Sequence, residues 1–145
     1  MDNREKSIPE QLVDLMLEKD AFSHWLGIER ISDQEGANTI RMKVRADMLN
    51  GFGIIHGGVS FSLADSALAF AANSYGIQCL SVENAIHYHQ KAVEGDVLTA
   101  TSREVHCSRK IAVYAVEIKN QNNELIATFK GTVYRTNREW NVQKK

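Results

Sequence analysis

The stretch Asn50–Gly76, NGFGIIHGGVSFSLADSALAFAANSYG, decides how the chain is read: a glycine-punctuated loop runs into a long apolar segment carrying a single charge, Asp65. From Gly57 onward the residues are small or good helix formers, with Phe61, Leu63, Ala64, Ala67, Leu68 and Phe70 among them, and Gly76 stands where a C-terminal cap belongs. Apolar residues fall on nearly every face of such a helix, so the pattern predicts burial on most sides rather than along one stripe, Asp65 included. A buried carboxylate is costly unless paired or hydrogen-bonded, and such groups tend to have shifted pKa values and functional roles.

The start of the helix supplies a second chemical feature. In its first turn, at His56-Gly57-Gly58, backbone N–H groups lack intrahelical acceptors and sit at the positive end of the helix dipole, while the glycines admit a closely approaching group. This is an oxyanion hole in outline. Taken singly, the same glycines also serve to relieve crowding, and the same acid serves as a solvated or hydrogen-bonded helix residue. Gly57 and Asp65 are eight residues apart, roughly 12 Å along a helix at ~1.5 Å per residue, too far for one carbonyl to touch both. If both act on one acyl group, they come from two copies of the helix passing antiparallel, in a site shared across a two-fold dimer.

Working outward, 145 residues fit one domain, 1–145, long enough to bury a core without staples. Seventeen basic and eighteen acidic residues give a formal charge of −1, which argues against a nucleic-acid or anionic-membrane partner. Cys79 and Cys107 have no metal-ligand spacing, and MDNREKSIPE lacks the apolar core of a signal peptide, so a reduced, cytoplasmic setting is expected. No uninterrupted apolar run of ~20 residues is present to span a bilayer.

Ser7 and Glu10 make a capping-box spacing with Pro9 in the first turn, predicting a helix from Ile8 to Lys19 within an N-terminal segment 1–20 that covers one edge of the domain. A short turn at Phe22–Leu26 ends at Gly27, an extended segment starts at Ile28, and a reversal follows at Asp33–Gly36. From Asn38 the pattern alternates, with Ile40, Met42 and Val44 on one face. After the central helix come four more extended stretches, near Cys79–Gln90, Asp96–Cys107, Lys110–Asn120 and Glu124–Thr136, then a polar, loosely held tail at 137–145. One buried helix among five or six strands is an α+β arrangement in which a curved antiparallel sheet wraps the helix, and a partner subunit would complete its cover.

Asn50-Gly51, His56-Gly57-Gly58, Leu63-Ala64-Asp65 and Asn73-Ser74, in that order and spacing, resemble the hotdog-fold acyl-CoA thioesterases, most closely the phenylacetic acid degradation branch. The likeness extends from about Phe22 to Arg135. It implies a central helix wrapped by an antiparallel sheet, dimers that pair into a homotetramer, acyl-CoA substrates, and no metal or redox cofactor. It assigns Asp65 as the carboxylate acting on the thioester, Gly57 as the backbone donor to the oxyanion, Asn50 as a loop amide orienting carbonyl or water, and His56 as a residue that shapes the loop. The sequence departs from the family at Gln90 and Lys91, where many relatives have arginine and proline, and in the greasier loop residues Phe52, Ile54 and Ile55.

A thioester carbonyl gains negative charge when attacked, so a fixed N–H from Gly57 favours the transition state, while Asp65 either activates water or attacks the carbonyl to give an anhydride. Gly58 and Ser66 are candidate substrate contacts, although a helical serine also bonds its own backbone. Lys91, Arg109 and Lys110 stand at strand ends where they could meet coenzyme A phosphates. His87 and His89 alternate on one strand face without a third ligand, which favours packing over metal. Two other readings remain: a hydratase or dehydratase of the same fold, which wants a second acid–base group at the acyl chain, and a non-catalytic acyl-CoA binding protein.

Overall fold

The computed structural model describes residues 4–142. Along them run α1 (Ile8–Glu18), α2 (Ala21–Leu26), β1 (Glu29–Gln34), β2 (Ala37–Lys43), α3 (Gly57–Asn73), β3 (Ile77–Tyr88), β4 (Val97–Cys107), β5 (Ile111–Lys119) and β6 (Leu125–Glu139). The strands form one antiparallel sheet ordered β1-β2-β4-β5-β6-β3, and α3 touches all six of them. A sheet can do this only by curving round the helix, which is the hotdog fold.

Local chemistry sets the element ends. Ser7 and Glu10 exchange side-chain-to-backbone bonds at the head of α1, and Asp20 caps α2 by accepting from Ser23 N. Gly27, at φ 73°, turns the chain out of α2 in the left-handed region open to glycine. On β2, Ile40 and Met42 are buried, as the alternation predicts, and they join Leu63, Leu68 and Phe70 of α3 in the core with Leu98, Val116 and Phe129. Among the described residues no helix is long and apolar enough to cross a membrane.

The helix is buried on most sides, as the pattern predicts, but Gly58, Phe61, Ser62, Asp65, Ser66 and Ala69 form a stripe that is exposed or half-buried, so Asp65 is less deeply buried than expected. The sheet ends at β3 on one flank and α2 stands on the other, so one face of α3 lies between them uncovered by the chain's own strands. The tail is also better held than its polarity predicts. β6 continues through Asn137 to Glu139, Trp140 N donates to Gly76 O, and Trp140 Nε1 donates to Asn73 Oδ1 at 2.9 Å. The same Asn73 oxygen accepts from Cys79 N, so the end of α3, the start of β3 and the tail meet at one amide. The rest of that tail, 143–145, and the first three residues lie outside the described residues.

Gly131 on β6 is fixed by close approach rather than by its backbone angles. A Cβ there would stand 2.1 Å from Leu68 Cδ1 and 2.5 Å from Asn84 Oδ1, so helix and neighbouring strand use the space a side chain would fill. Gly131→Ala is therefore expected to destabilise the fold by about 1–3 kcal/mol through overpacking, read as a lowered urea midpoint at unchanged m-value.

Candidate active site

The loop before α3 is built by its own side chains. Asn50 Oδ1 accepts from Phe52 N at 2.9 Å and Ile54 N at 3.4 Å, which folds the glycine-rich segment into a compact turn and leaves Asn50 Nδ2 as the group's donor. His56 caps the helix: its Nδ1 accepts from Gly58 N at 2.9 Å. Of the N–H groups expected to be free, His56 N donates to Met48 O and Gly58 N is taken by the imidazole. Gly57 N–H has no acceptor among the described residues. Of these first-turn amides, Gly57 N–H is thus the one left without an intramolecular acceptor, while Gly58 N–H is held by His56.

Gly57 opens onto a cleft of about 380 Å³ lined by Asn50, Ile54, Ser60, Tyr88, Gln90 and Lys91, among others. Tyr88 reaches in from β3 and donates from Oη to Gly57 O at 2.8 Å. A Cβ at Gly57 would lie 2.7 Å from that Oη, so this position has room for glycine alone while Tyr88 is in place. Ser60 is fully buried on the cleft wall, and its hydroxyl meets no protein partner.

Asp65 stands two turns further along α3. Asn84 Nδ2, also from β3, donates to its Oδ1 at 3.0 Å. Partial burial raises the carboxyl pKa above the ordinary aspartate value, the Asn84 bond opposes that, and the negative charge of Asp20 adds to the rise. Gly57 and Asp65 do not meet within the chain, in keeping with their separation along one helix. Ser66 departs from the backbone-bonded expectation: its Oγ lies 2.9 Å from Ser23 Oγ on α2.

The cationic candidates separate. Lys91 lines the cleft. Arg109 and Lys110 do not: Lys110 O accepts from Arg135 N, and Arg135 is nine residues along β6 from the cleft residue Ile126, roughly 30 Å in an extended strand. The β4–β5 hairpin thus lies at the far end of α3, away from the cleft lining. The His87 and His89 rings stack with centroids 5.1 Å apart, and His89 Nε2 is 2.9 Å from Thr128 Oγ1. No cluster of three metal-ligating side chains occurs among the described residues.

Asn84, Tyr88 and Ser60 went unread in the sequence. Asn84 and Tyr88 share one face of β3 with Ile86, a spacing of two that marks them once α3 is known to lie beneath.

An amide donor at a helix start, beside a cleft and on the same helix as a desolvated carboxylate, is machinery for acyl-group chemistry. The Thioesterase superfamily matches residues 52–127, and the chain belongs to it: it is a thioester hydrolase. It is 42% identical to the acyl-coenzyme A thioesterase PaaI of Escherichia coli, over 83% of this chain and 86% of that protein, and 39% identical to a putative esterase of Archaeoglobus fulgidus, over 94% and 89%. The structure of the E. coli PaaI protein from the phenylacetic acid degradation operon superposes with a TM-score of 0.89 at 39% identity, covering 91% of this chain and 96% of that one. A hypothetical thioesterase of Streptococcus pneumoniae, solved with coenzyme A, superposes at 0.75 with 27% identity over 78% and 91%.

The raised pKa of Asp65 has a consequence for stability. An acid whose folded pKa lies above its unfolded value favours folding below the unfolded pKa, and that contribution is lost as pH rises through the folded pKa. At neutral pH the charge is a net cost, so Asp65→Asn is expected to melt at or above the wild-type temperature at pH 7. That advantage should disappear on acidifying below the usual aspartate range, as followed by thermal denaturation at both pH values.

Proposed function

We propose that the protein is an acyl-CoA thioesterase of the PaaI type, releasing free acid and coenzyme A from small aromatic, phenylacetyl-type, or medium-chain acyl-CoA, as in phenylacetate degradation. The single observation that carries this is the unpaired Gly57 N–H at the cleft, with the other first-turn amides already satisfied. The thioester carbonyl oxygen lies against Gly57 N–H, the Asn50 amide steadies the carbonyl or the water, and Lys91 meets coenzyme A phosphate at the rim. Attack on the carbonyl carbon places the charge on the oxygen beside Gly57. Collapse then breaks the C–S bond, and the thiolate leaves and takes up a proton.

Asp65 supplies the attack, as general base toward water or as nucleophile through a short-lived anhydride. Asn84 holds one of its oxygens, which leaves the other to act, and a pKa raised toward the working pH suits a base. The Asp65 that serves one Gly57 comes from a second copy of the chain. The support is the open stripe on α3 together with β3, a twelve-residue strand at the sheet's end whose Leu80 and Val82 are 66% and 61% exposed. A long apolar edge of this kind invites pairing with a like edge. Two such dimers would make the tetramer.

Purified protein is expected to release free thiol from phenylacetyl-CoA, and Asp65→Asn to lose about 10²- to 10⁴-fold in kcat while still binding the substrate. A variant as active as the wild type would remove Asp65 from the reaction. A change in enoyl absorbance without thiol release would instead indicate a hydratase. Mixing Asp65→Asn chains with Gly57→Val chains is expected to restore part of the activity, and no recovery after verified subunit exchange would exclude the shared site.

A further inference from the structure

Ser66, which follows Asp65 in α3, leads into a part of the chain that the proposed mechanism does not use. Ser66 Oγ lies 2.9 Å from Ser23 Oγ, and the Ser23 hydroxyl donates to Asp20 Oδ2 at 2.6 Å. Asp20 Oδ1 accepts from Ser23 N at 3.0 Å, so both oxygens of the α2 cap are engaged by one residue. Ser23 is 1% exposed, which shields this short chain of hydroxyls from competition by water.

The direction of the chain follows from the end that cannot donate. A carboxylate only accepts, so Ser23 spends its single hydroxyl proton on Asp20. Ser23 Oγ can then only accept from Ser66, and Ser66 must donate to it. Ser66 is left with lone pairs and no proton toward the open stripe of α3. Ser66 follows Asp65 on the half-buried stripe of α3, so this acceptor opens to the same side of the helix as the carboxylate.

We propose that Asp20 is a positioning residue of the thioesterase site, acting through Ser23 to hold Ser66 as a hydrogen-bond acceptor beside Asp65 and so to orient the hydrolytic water. This rests on Asp65 being the reacting carboxylate. A water that donates one proton to Asp65 and the other to Ser66 turns an oxygen lone pair toward the acyl carbon. Asp65 takes up the first proton as the C–O bond forms, so no other reactant is required. The negative charge of Asp20 reaches the same carboxyl and favours its protonated form.

The surroundings of Asp65 allow this charge to be read cleanly. α3 carries no other charged residue, and β3 faces Asp65 with the neutral Asn84. From the remaining strands the core side chains Ile40, Leu98, Val116 and Phe129 are not titratable. Tyr114 on β5 turns its hydroxyl to Glu104, and Asp33 on β1 is held by Arg30. α1 contributes Leu12 and Val13, and α2, capped by Asp20, carries one other titratable side chain, His24, whose Nε2 lies 2.6 Å from Leu17 O.

The test is a carbon-detected NMR titration of the Asp65 carboxyl, assigned by its loss in Asp65→Asn, in wild type and in Asp20→Asn. Asparagine also caps helices well, so the variant keeps α2, which its melting temperature checks. With the like charge gone, the Asp65 midpoint is expected to fall, and the acid limb of kcat/KM with it. At a pH below the limb the variant should then retain about twofold more of its plateau rate than wild type. Ser66→Ala is expected to lower kcat about 3- to 10-fold with KM within about twofold and the limb unmoved. An unshifted Asp65 midpoint in folded Asp20→Asn, or wild-type kcat in Ser66→Ala, overturns the proposal. Full turnover by Asp65→Asn would overturn the assignment of Asp65 instead, and the titration would still report whether Asp20 acts on it.

Discussion

Two contacts between α3 and β3 set the register on which the site depends: Asn84 Nδ2 to Asp65 Oδ1, and Tyr88 Oη to Gly57 O. The lengths agree. Eight helical residues from Gly57 to Asp65 cover roughly 12 Å, and four strand residues from Asn84 to Tyr88 cover roughly 13 Å in the opposite direction. The strand therefore works as a ruler that grips the helix at its mouth and at its charge. Two features let it do so. The register shift between Ser81 and Glu83 turns Asn84, Ile86 and Tyr88 inward, and Gly131 on the neighbouring strand leaves room for the Asn84 amide. A slip of one residue would turn that whole face outward and leave Asp65 without its partner.

At the mouth of α3 the backbone donors are divided unequally. His56 answers the Gly58 amide, Met48 answers His56, and the Asn50 side chain shapes the turn that brings these groups together. The Gly57 amide is what remains, and Tyr88 fills the space in which any side chain there would stand. One well-placed donor to a developing oxyanion is worth about 2.7–4 kcal/mol of barrier, and it acts without reorganising at the moment of reaction. In the proposed mechanism a site with one such donor needs its attacking group, Asp65, equally well placed.

The sequence shows most of this at the level of elements. The alternation at Ile40, Met42 and Val44, the capping box at Ser7 and Glu10, and the small-residue run after Gly57 are local signals, and each lies where local chemistry puts it. What it hides is long-range. Asn84 and Tyr88 look like ordinary strand residues until the helix beneath β3 is known, because the bulge that aims them comes from pairing with β6. Arg109 and Lys110 look equivalent to Lys91 because all three are basic residues at strand ends, and only the topology puts two of them at the other end of the helix. Trp140 looks like a stray aromatic in a polar tail, yet its indole is held by Asn73, more than sixty residues earlier. Composition also leaves open who covers the rest of α3, since an apolar helix shows how much must be covered and not which chain covers it.

That last difference bears on the two-fold arrangement in the proposed function. The midpoint between Gly57 and Asp65 is Phe61, which lies on the half-exposed stripe. A two-fold axis passing close to Phe61 and perpendicular to the helix sets a second α3 antiparallel to the first, and so brings each Gly57 opposite the other copy's Asp65. In that proposed arrangement the free edges of β3, with Leu80 and Val82 beside them, would pair and the stripe would be withdrawn from water. It would also deepen the desolvation of Asp65, raising its affinity for a proton further as the site closes. The lone acid is tolerable in one chain because its face is half open and Asn84 holds it. In the proposed dimer, a second helix that shuts out the solvent would make it a stronger base.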